Sequence, residues 1–386
     1  MTRPADPVAH RRAPGLTVLE SDSLGAHRDR WDALVLGSRL PTPFLRAWWL
    51  ESVGTDRDRY VLVLDGDELV GGLALERRVR WGIELYRFLG GGTLCPDHLD
   101  LVAETGREEQ VVTALRAWFA RRPGRLIDLR GVAEDAVVLA VLPRWRCEDD
   151  GAPYEPLPAT MEAYLARRSK NFRRTALRAE RQFAQRGAVT RRLEPAEVPG
   201  ALADFVEIQR HRGGREALLA QMPRLERAVL AGVEAGQVHV LATDLDGERA
   251  AVVLALATGG RLGLYQVARR TEKQFSRVGT VAAMAMVRAA IAEEMSEVDF
   301  LRGDEAYKFA FTGARRTLWR VRSGSDPATQ LAAGLWVLTA RMRSFVIDRW
   351  KKFCELLGSI RPLTALVGHV QSWKVPGGPR RDATRQ

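Results

Sequence analysis

The sequence predicts an α/β fold made of two tandem copies of one αβ unit with mixed sheets, followed by a C-terminal amphipathic helical region. Three observations carry this. Ile127-Asp128-Leu129-Arg130-Gly131 returns as Val298-Asp299-Phe300-Leu301-Arg302-Gly303, each time ending a similar series of segments, as an internal repeat does. Paired Asp-Gly turns lie between alternating apolar runs and read as β-hairpins. Beyond residue 326, apolar residues recur at three- or four-residue steps and mark one helical face.

In the first copy, Asp65-Gly66 opens the run from Leu69 to Glu76, then come Gly82-Ile83-Glu84-Leu85-Tyr86, a helical stretch near 107–120 and the Asp-Leu-Arg-Gly strand end. The second copy keeps the order with Asp246-Gly247, the run Ala250 to Ala257, Gly260 to Tyr265, a helical stretch near 279–294 and the second strand end. The offset shrinks from 181 residues, Asp65 to Asp246, to 171, Asp128 to Asp299, as loop differences produce.

Residues 1–15 read as a disordered tail and 16–157 as the first domain, closed by a loop at Asp149-Asp150-Gly151-Ala152-Pro153. Residues 158–187 read as a linker carrying one long basic helix over 160–186, opened by Thr160 and ended at Gly187. The second domain spans 188–323. The helical region of 326–374 has an apolar face from Leu331 through Leu335, Leu338, Met342 and Phe345 to Leu357 and a basic face that includes Arg341, Arg349 and Lys351, and residues 375–386 read as a second disordered tail. That helix packs on its own protein or a second subunit, or it lies on a membrane surface.

A chain of 386 residues with an ordinary apolar share has ample material for a buried core. No run of about 18 consecutive apolar residues exists and the N-terminus lacks a signal-peptide core, so a cytoplasmic protein is expected, with a peripheral place at the inner membrane face through 326–357. Cys95, Cys147 and Cys354 are odd in number and far apart, and the six histidines form no H-E-x-x-H pattern. Neither a disulfide framework nor a catalytic metal is expected. The net charge of +11 and a pI near 10.1 point to anionic partners, or reflect only an arginine-rich composition.

The densest polar constellation, Arg302-Gly303-Asp304-Glu305-Ala306-Tyr307-Lys308, follows an apolar strand, where ligands gather in open α/β sheets. It offers Asp304 and Glu305 as bases, the Tyr307 phenol as donor, and Arg302 and Lys308 as cations for anionic substrate groups; the alternative is a solvated turn with local ion pairs. A second candidate, Gln274 to Thr280, precedes the helix from about 279. Helix-start N–H groups bind pyrophosphate well and Gly279 allows close approach, whereas the alternative is an ordinary helix start capped by Ser276. The cofactor expectation covers Gln266, Ser276, Arg277, Gly279 and Thr280. Gly90-Gly91-Gly92-Thr93 reads as a turn. Asp97, His98 and Asp100 form a polar pocket wall or are structural, and His211 with Arg212 faces the cleft or ends a solvated helix.

These residues together resemble the GNAT-fold acyltransferases, specifically the CelD-like branch of cellulose and exopolysaccharide biosynthesis, related to the Fem peptidyltransferases. The resemblance rests on Pro43-Phe44-Leu45-Arg46-Ala47-Trp48-Trp49, Leu69 to Leu75, Ser169-Lys170-Asn171-Phe172-Arg173-Arg174 and Val298 to Lys308, and covers about residues 16–322. It implies tandem GNAT-like domains, the first degenerate because Arg130-Gly131-Val132-Ala133 lacks the Tyr-Lys pair. It implies transfer of an acyl group from acyl-CoA, the expected co-substrate, to an amine of a sugar, amino acid or cell-envelope glycan precursor. Substrate-binding roles are carried to Arg302, Lys308, His211, Lys170 and Arg173. Ser276-Arg277-Val278-Gly279-Thr280 keeps only part of the family's pyrophosphate loop. Two alternatives stand beside this reading: an aminoacyl-tRNA-dependent transferase of Fem type that binds tRNA through the basic helix, and a catalytically silent assembly protein docking through 326–357.

Overall fold

In a computed structural model that describes residues 15–141 and 145–336, the first copy supplies β1 (Thr17–Ser21), β2 (Asp58–Asp65), β3 (Glu68–Arg80), β4 (Ile83–Phe88), the two-residue β5 (Val102–Ala103), β6 (Arg125–Val132) and β7 (Trp145–Pro156). The second supplies β8 (Val189–Arg192), β9 (Val238–Leu245), β10 (Glu248–Thr258), β11 (Arg261–Arg269), β12 (Glu297–Asp299) and β13 (Ala314–Gly324). Their helices are α1 (Arg28–Leu36), α2 (Ala47–Val53), α3 (Glu108–Ala120) and α4 (Val138–Val141), then α5 (Met161–Ala166), α6 (Lys170–Gln185), α7 (Val198–Arg210), α8 (Glu216–Leu219), α9 (Met222–Glu234), α10 (Val278–Ala292) and α11 (Lys308–Phe311). The hairpins stand where the Asp-Gly turns place them. At Asp246 and Gly247 both φ angles are positive, 55° and 78°, the geometry of a tight two-residue hairpin.

The copies do not form separate sheets. All strands join one mixed sheet in the order β1-β2-β3-β4-β6-β13-β7-β12-β11-β10-β9-β8, with β5 beside β3. Each copy has its parallel pair at the same place, β4 with β6 and β11 with β12. Each then takes its sixth strand from the other: β13, the last strand of the second copy, pairs with β6, and β7, the last of the first, pairs with β12. The two exchanged strands pair antiparallel at the centre, Ala314↔Tyr154 through Arg322↔Trp145. Residues up to Ala333 accordingly form one compact unit, and 334–386 a second, of which 334–336 are described and helical.

The exchange corrects two expectations. Asp149 to Pro153 is not a closing loop but the middle of β7, hydrogen-bonded on both sides. The Asp149 carboxylate is taken by one arginine from each copy, Arg130 and Arg302, Asp150 accepts from Gly151 N, and Pro153 gives only its carbonyl, to Phe300 N at 2.8 Å. The basic segment 160–186 is two helices. Thr160 Oγ1 caps the first through Ala163 N, as expected, but Ser169 stands extended and caps the second through Phe172 N. The break turns Arg168 inward to Glu155 at 2.6 Å, both nearly fully buried.

One core runs beneath both copies, where α1, α2 and α3 of the first meet α7 and α9 of the second. Gly232 of α9 lets the two helix layers touch, since a Cβ there would stand 2.8 Å from the Trp48 ring. A second core buries α6 and α10. Strand β10 lies between them, sending Val252, Leu254 and Leu256 one way and Ala251, Val253 and Ala255 the other. A strand buried on both faces reads as a continuous apolar run. By length and composition Lys273–Ala292 is apolar enough to cross a bilayer; here α10 is a core helix, with Val278, Met284, Met286, Val287 and Ala290 fully buried. Residues 1–14, 142–144 and 337–386, which hold the N-terminal tail, most of the amphipathic 326–357 face and the C-terminal tail, lie outside the described residues.

Candidate functional site

The repeated Asp-x-Arg-Gly signature builds the centre of the molecule. Asp128 and Asp299, equivalent in the two copies, are both buried. Asp128 accepts from Arg320 Nε and Nη2, each at 2.6 Å, and from Arg322 Nε at 2.9 Å. Asp299 Oδ2 lies 2.7 Å from His98 Nε2. Burial opposes charge on both members of that pair. Each nonetheless holds the other ionised, with the His98 pKa raised and that of Asp299 lowered. The two echoed arginines converge on one carboxylate: Arg130 Nη2 is 2.8 Å from Asp149 Oδ1, and Arg302 Nη1 is 3.1 Å from Oδ2.

Asp97, His98 and Asp100 all make hydrogen bonds within the fold. Asp97 Oδ2 accepts from Arg302 N at 2.6 Å, and Asp100 accepts from Val137 N and Val138 N, both at 2.7 Å, where α4 begins. Among the described residues no group of three or more His, Cys, Asp or Glu is placed to hold a metal.

Around this centre the second copy opens. Strands β11 and β12 pair only as far as Gly263↔Asp299. Beyond it β11 continues to Arg269, while the other chain follows β7, with Phe300 N on Pro153 O and Gly303 N on Gly151 O, both 2.8 Å. The first copy lies across the opening. Tyr265 OH donates to Leu94 O at 2.8 Å, and the Tyr265 ring meets those of Phe44 and Trp49 at 5.4 and 5.5 Å.

Three elements converge at the far end of β11. Arg269 ends the strand, Arg212 and Arg215 follow α7, and α10 begins. Arg212 Nη1 reaches Val267 O at 3.4 Å. Burial, then the repulsion of Arg215 and Arg269, pulls its pKa down. Among the described residues no carboxylate pairs with Arg212, Arg215 or Arg269. Tyr307 is half-exposed; its pKa is pushed up to about 12, by burial first and then by Glu305, against the opposing pull of Arg269, Arg212 and Arg215, so the phenol stays protonated at neutral pH. Ile208, His211, Arg212, Arg269, Arg270, Thr271 and Glu272 line a cavity of ≈ 70 Å³.

The expected Ser276 cap is absent. Arg277, left-handed at φ 74°, occupies the N-cap of α10 without a side-chain bond. The N–H groups of Val278 and Gly279 have no partner among the described residues, and such groups at a helix start favour anions. A Cβ on Gly279 would stand 2.8 Å from Arg269 Cδ, so the missing side chain lets the arginine lie over the helix start. Thr280 sits in the first turn, and Gln266 lies on β11 opposite Leu254.

The 302–308 loop departs from several expectations. Asp304 receives Arg315 Nε and Nη2 at 2.9 and 2.8 Å, which lowers its pKa and makes it a weak base. Lys308 is buried, with Nζ 2.5 Å from Arg302 O and 2.9 Å from Glu305, so its ammonium holds the loop and cannot reach a substrate. Arg302 is likewise turned inward to Asp149. Glu305 remains 58 % exposed. His211 is exposed with Nδ1 on Glu207 O at 2.9 Å. Lys170 and Arg173 open α6, whose Phe172 packs on Phe311 at 4.8 Å beside the loop's end. The larger groove, ≈ 480 Å³ between α2 and α9, is lined by none of the expected site residues.

A family model described as acetyltransferase (GNAT) domain matches residues 170–309, from the start of α6 through the 302–308 loop. Among solved structures, FemX superposes with a TM-score of 0.57 at 13% identity over 76% of this chain and 95% of its own. The C-terminal domain of a putative lysylphosphatidylglycerol synthetase from Agrobacterium fabrum gives 0.51 at 12% over 80% and 94%. L-PGS from Bacillus licheniformis gives 0.51 at 9% over 75% and 90%. At these identities the likeness is one of fold. No curated protein matches the sequence.

Proposed function

We propose that this chain, which carries a GNAT acyltransferase fold with its GNAT domain over residues 170–309, transfers an acyl group from acyl-CoA to an amine of a sugar, amino acid or cell-envelope precursor. One observation carries the reading. Arg212, Arg215 and Arg269, none paired with a carboxylate among the described residues, gather at the far end of β11 within electrostatic reach of Tyr307, and Arg269 lies over the uncapped start of α10. The phosphates of CoA fit that chemistry: Arg269, Arg212 and Arg215 supply charge, and Val278 and Gly279 supply N–H donors.

The reaction forms a C–N bond and breaks the C–S bond of a thioester. The amine loses a proton and the departing sulfur gains one. Glu305, the more exposed of the loop's two carboxylates and held by one lysine rather than by a two-pronged arginine, accepts the amine proton, and Tyr307, protonated at neutral pH, donates to the sulfur or to the carbonyl oxygen as it gains charge. Asp304 has no part in proton transfer in this scheme. The first copy closes the opposite wall through Leu94, whose carbonyl accepts from Tyr265 OH.

A second reading has its own observation. Lys170, Arg174, Arg178 and Arg181 are exposed along α6, and among the described residues none has a carboxylate partner. Such a stripe suits a polyanion, as an aminoacyl-tRNA donor is. The deciding experiment offers acetyl-CoA with amino sugars and amino acids and follows free thiol. Acceptor-dependent thiol release supports acyl-CoA. No release with any acceptor, together with a salt-sensitive tRNA complex, shifts the reading to aminoacyl-tRNA.

A further inference from the structure

The β3–β4 hairpin of the first copy ends in a feature the fold does not require. Strand β3 pairs with β2 only as far as Glu76, and residues 77–80 run on past β2, paired with β4 alone. At the tip stands Trp81, 85% exposed with φ 51°, a conformation that disfavours bulky residues. The Arg80 guanidinium stacks 4.1 Å from its ring centroid, and Val79 is 60% exposed. The equivalent turn of the second copy, Gly259-Gly260, is small and covered: a Cβ on Gly259 would stand 2.9 Å from Pro41. One copy thus needs no side chain here, while the other holds a strained tryptophan in solvent.

The tip has neighbours of matching character. Glu84 N donates to Gly124 O at 2.8 Å, and Gly124 N to Asp326 Oδ2 at 2.7 Å, which brings the exposed Arg121 and Arg122 and the helix capped by Asp326 to the same end of the sheet. Leu331 on that helix is 66% exposed. The tip's carboxylates are engaged, Glu76 by Arg78 at 2.8 Å and Glu84 by Arg77 at 3.5 Å. Among the described residues Arg80, Arg121 and Arg122 have no carboxylate partner.

We infer that this end of the sheet docks on an anionic lipid surface, with Trp81 at the headgroup level and Arg80, Arg121 and Arg122 against lipid phosphates. A tryptophan with an apolar body and one N–H suits the boundary between acyl chains and water, and each arginine held near an anionic leaflet contributes about fivefold in binding. The surface is separate from the Arg269 cleft and independent of the acyl donor.

The test is co-flotation of the full chain with vesicles of equal parts phosphatidylcholine and phosphatidylglycerol, beside vesicles of phosphatidylcholine alone. The expected result is salt-sensitive binding to the anionic vesicles, weakened about tenfold or more by Trp81→Ala and about a hundredfold by Arg80, Arg121 and Arg122→Ala together. Vesicles with brominated acyl chains should quench wild-type fluorescence more than that of Trp81→Ala, a readout that leaves folding aside. The inference is overturned by no flotation, by Trp81→Ala floating as wild type does, by equal binding to both vesicles, or by a preference of the tip for nucleic acid or a second copy of the chain.

Discussion

Replacing Asp149 by alanine tests the claim that the two copies are locked by their shared signature. The side chain is 4% exposed and accepts from Arg130 on one side and Arg302 on the other. Arg302 is 13% exposed, so removing its carboxylate leaves a nearly buried cation unpaired, at a cost of about 3–5 kcal/mol. Arg130 is 51% exposed, and its share is about 0–1 kcal/mol. Gly131 N also loses its acceptor at 3.2 Å, about 1 kcal/mol that overlaps the first figure. Urea unfolding followed by circular dichroism should therefore show Asp149→Ala destabilised by about 3–5 kcal/mol, Arg130→Ala by less than about 1 kcal/mol, and both unfolding in one transition. At a slope of about 3 kcal/mol per molar urea, the midpoint falls by about 1 M or more. A loss below about 1 kcal/mol for Asp149→Ala, or equal losses for the two variants, refutes the lock. Separate transitions for the two copies refute the single unit.

Three further outcomes follow from the same geometry. The His98–Asp299 pair gives stability a pH dependence of definite sign: His98, raised from 6.5, stabilises fully below that value and loses its contribution as pH rises through its folded pKa, whereas Asp299, lowered from 3.8, contributes above that value and loses it as pH falls. Urea midpoints should fall from neutral to alkaline pH in wild type but not in His98→Gln, and equal slopes would count against the ion pair. Gly151→Ala would press a methyl group on Asp304 and Arg315, costing about 1–3 kcal/mol and, by moving the loop, lowering turnover; unchanged stability in thermal melts would show that the loop yields freely. Tyr307→Phe should lower kcat about 100-fold with KM little changed if the phenol donates in the transition state, and a kcat equal to wild type removes that role.

What was legible in the sequence was local. Asp65-Gly66 and Asp246-Gly247 announce hairpins because a two-residue turn needs residues tolerant of positive φ, and the helical stretches near 107–120 and 279–294 stand at matching places in the two copies. The exchange of β7 and β13 was not legible, because the choice of a pairing partner across the sheet is decided by contacts far apart in the chain. Asp149-Asp150-Gly151-Ala152-Pro153 has the composition of a loop and becomes a central strand only because Arg130, Arg302 and Arg315 meet its carboxylates or fill the space over its glycine. The 302–308 motif is dense in polar groups in the sequence itself. Spacing alone cannot show that Lys308 turns inward to Arg302 O and Glu305 or that Arg315 of β13 takes up Asp304, while Glu305 and Tyr307 keep much of their surface exposed. The arginine cluster is not visible in the sequence as a unit, since Arg212 and Arg269 are far apart in it; the pair Arg269-Arg270 at a strand's end is its one local signal.

The most direct measurement is a calorimetric titration of the protein with acetyl-CoA, run in parallel on Arg269→Ala. A saturable wild-type isotherm weakened about 10- to 150-fold in the variant, the worth of one charge-assisted hydrogen bond at about 1.5–3 kcal/mol, is what the cleft at the start of α10 predicts. No wild-type binding, or binding indifferent to Arg269, would contradict it.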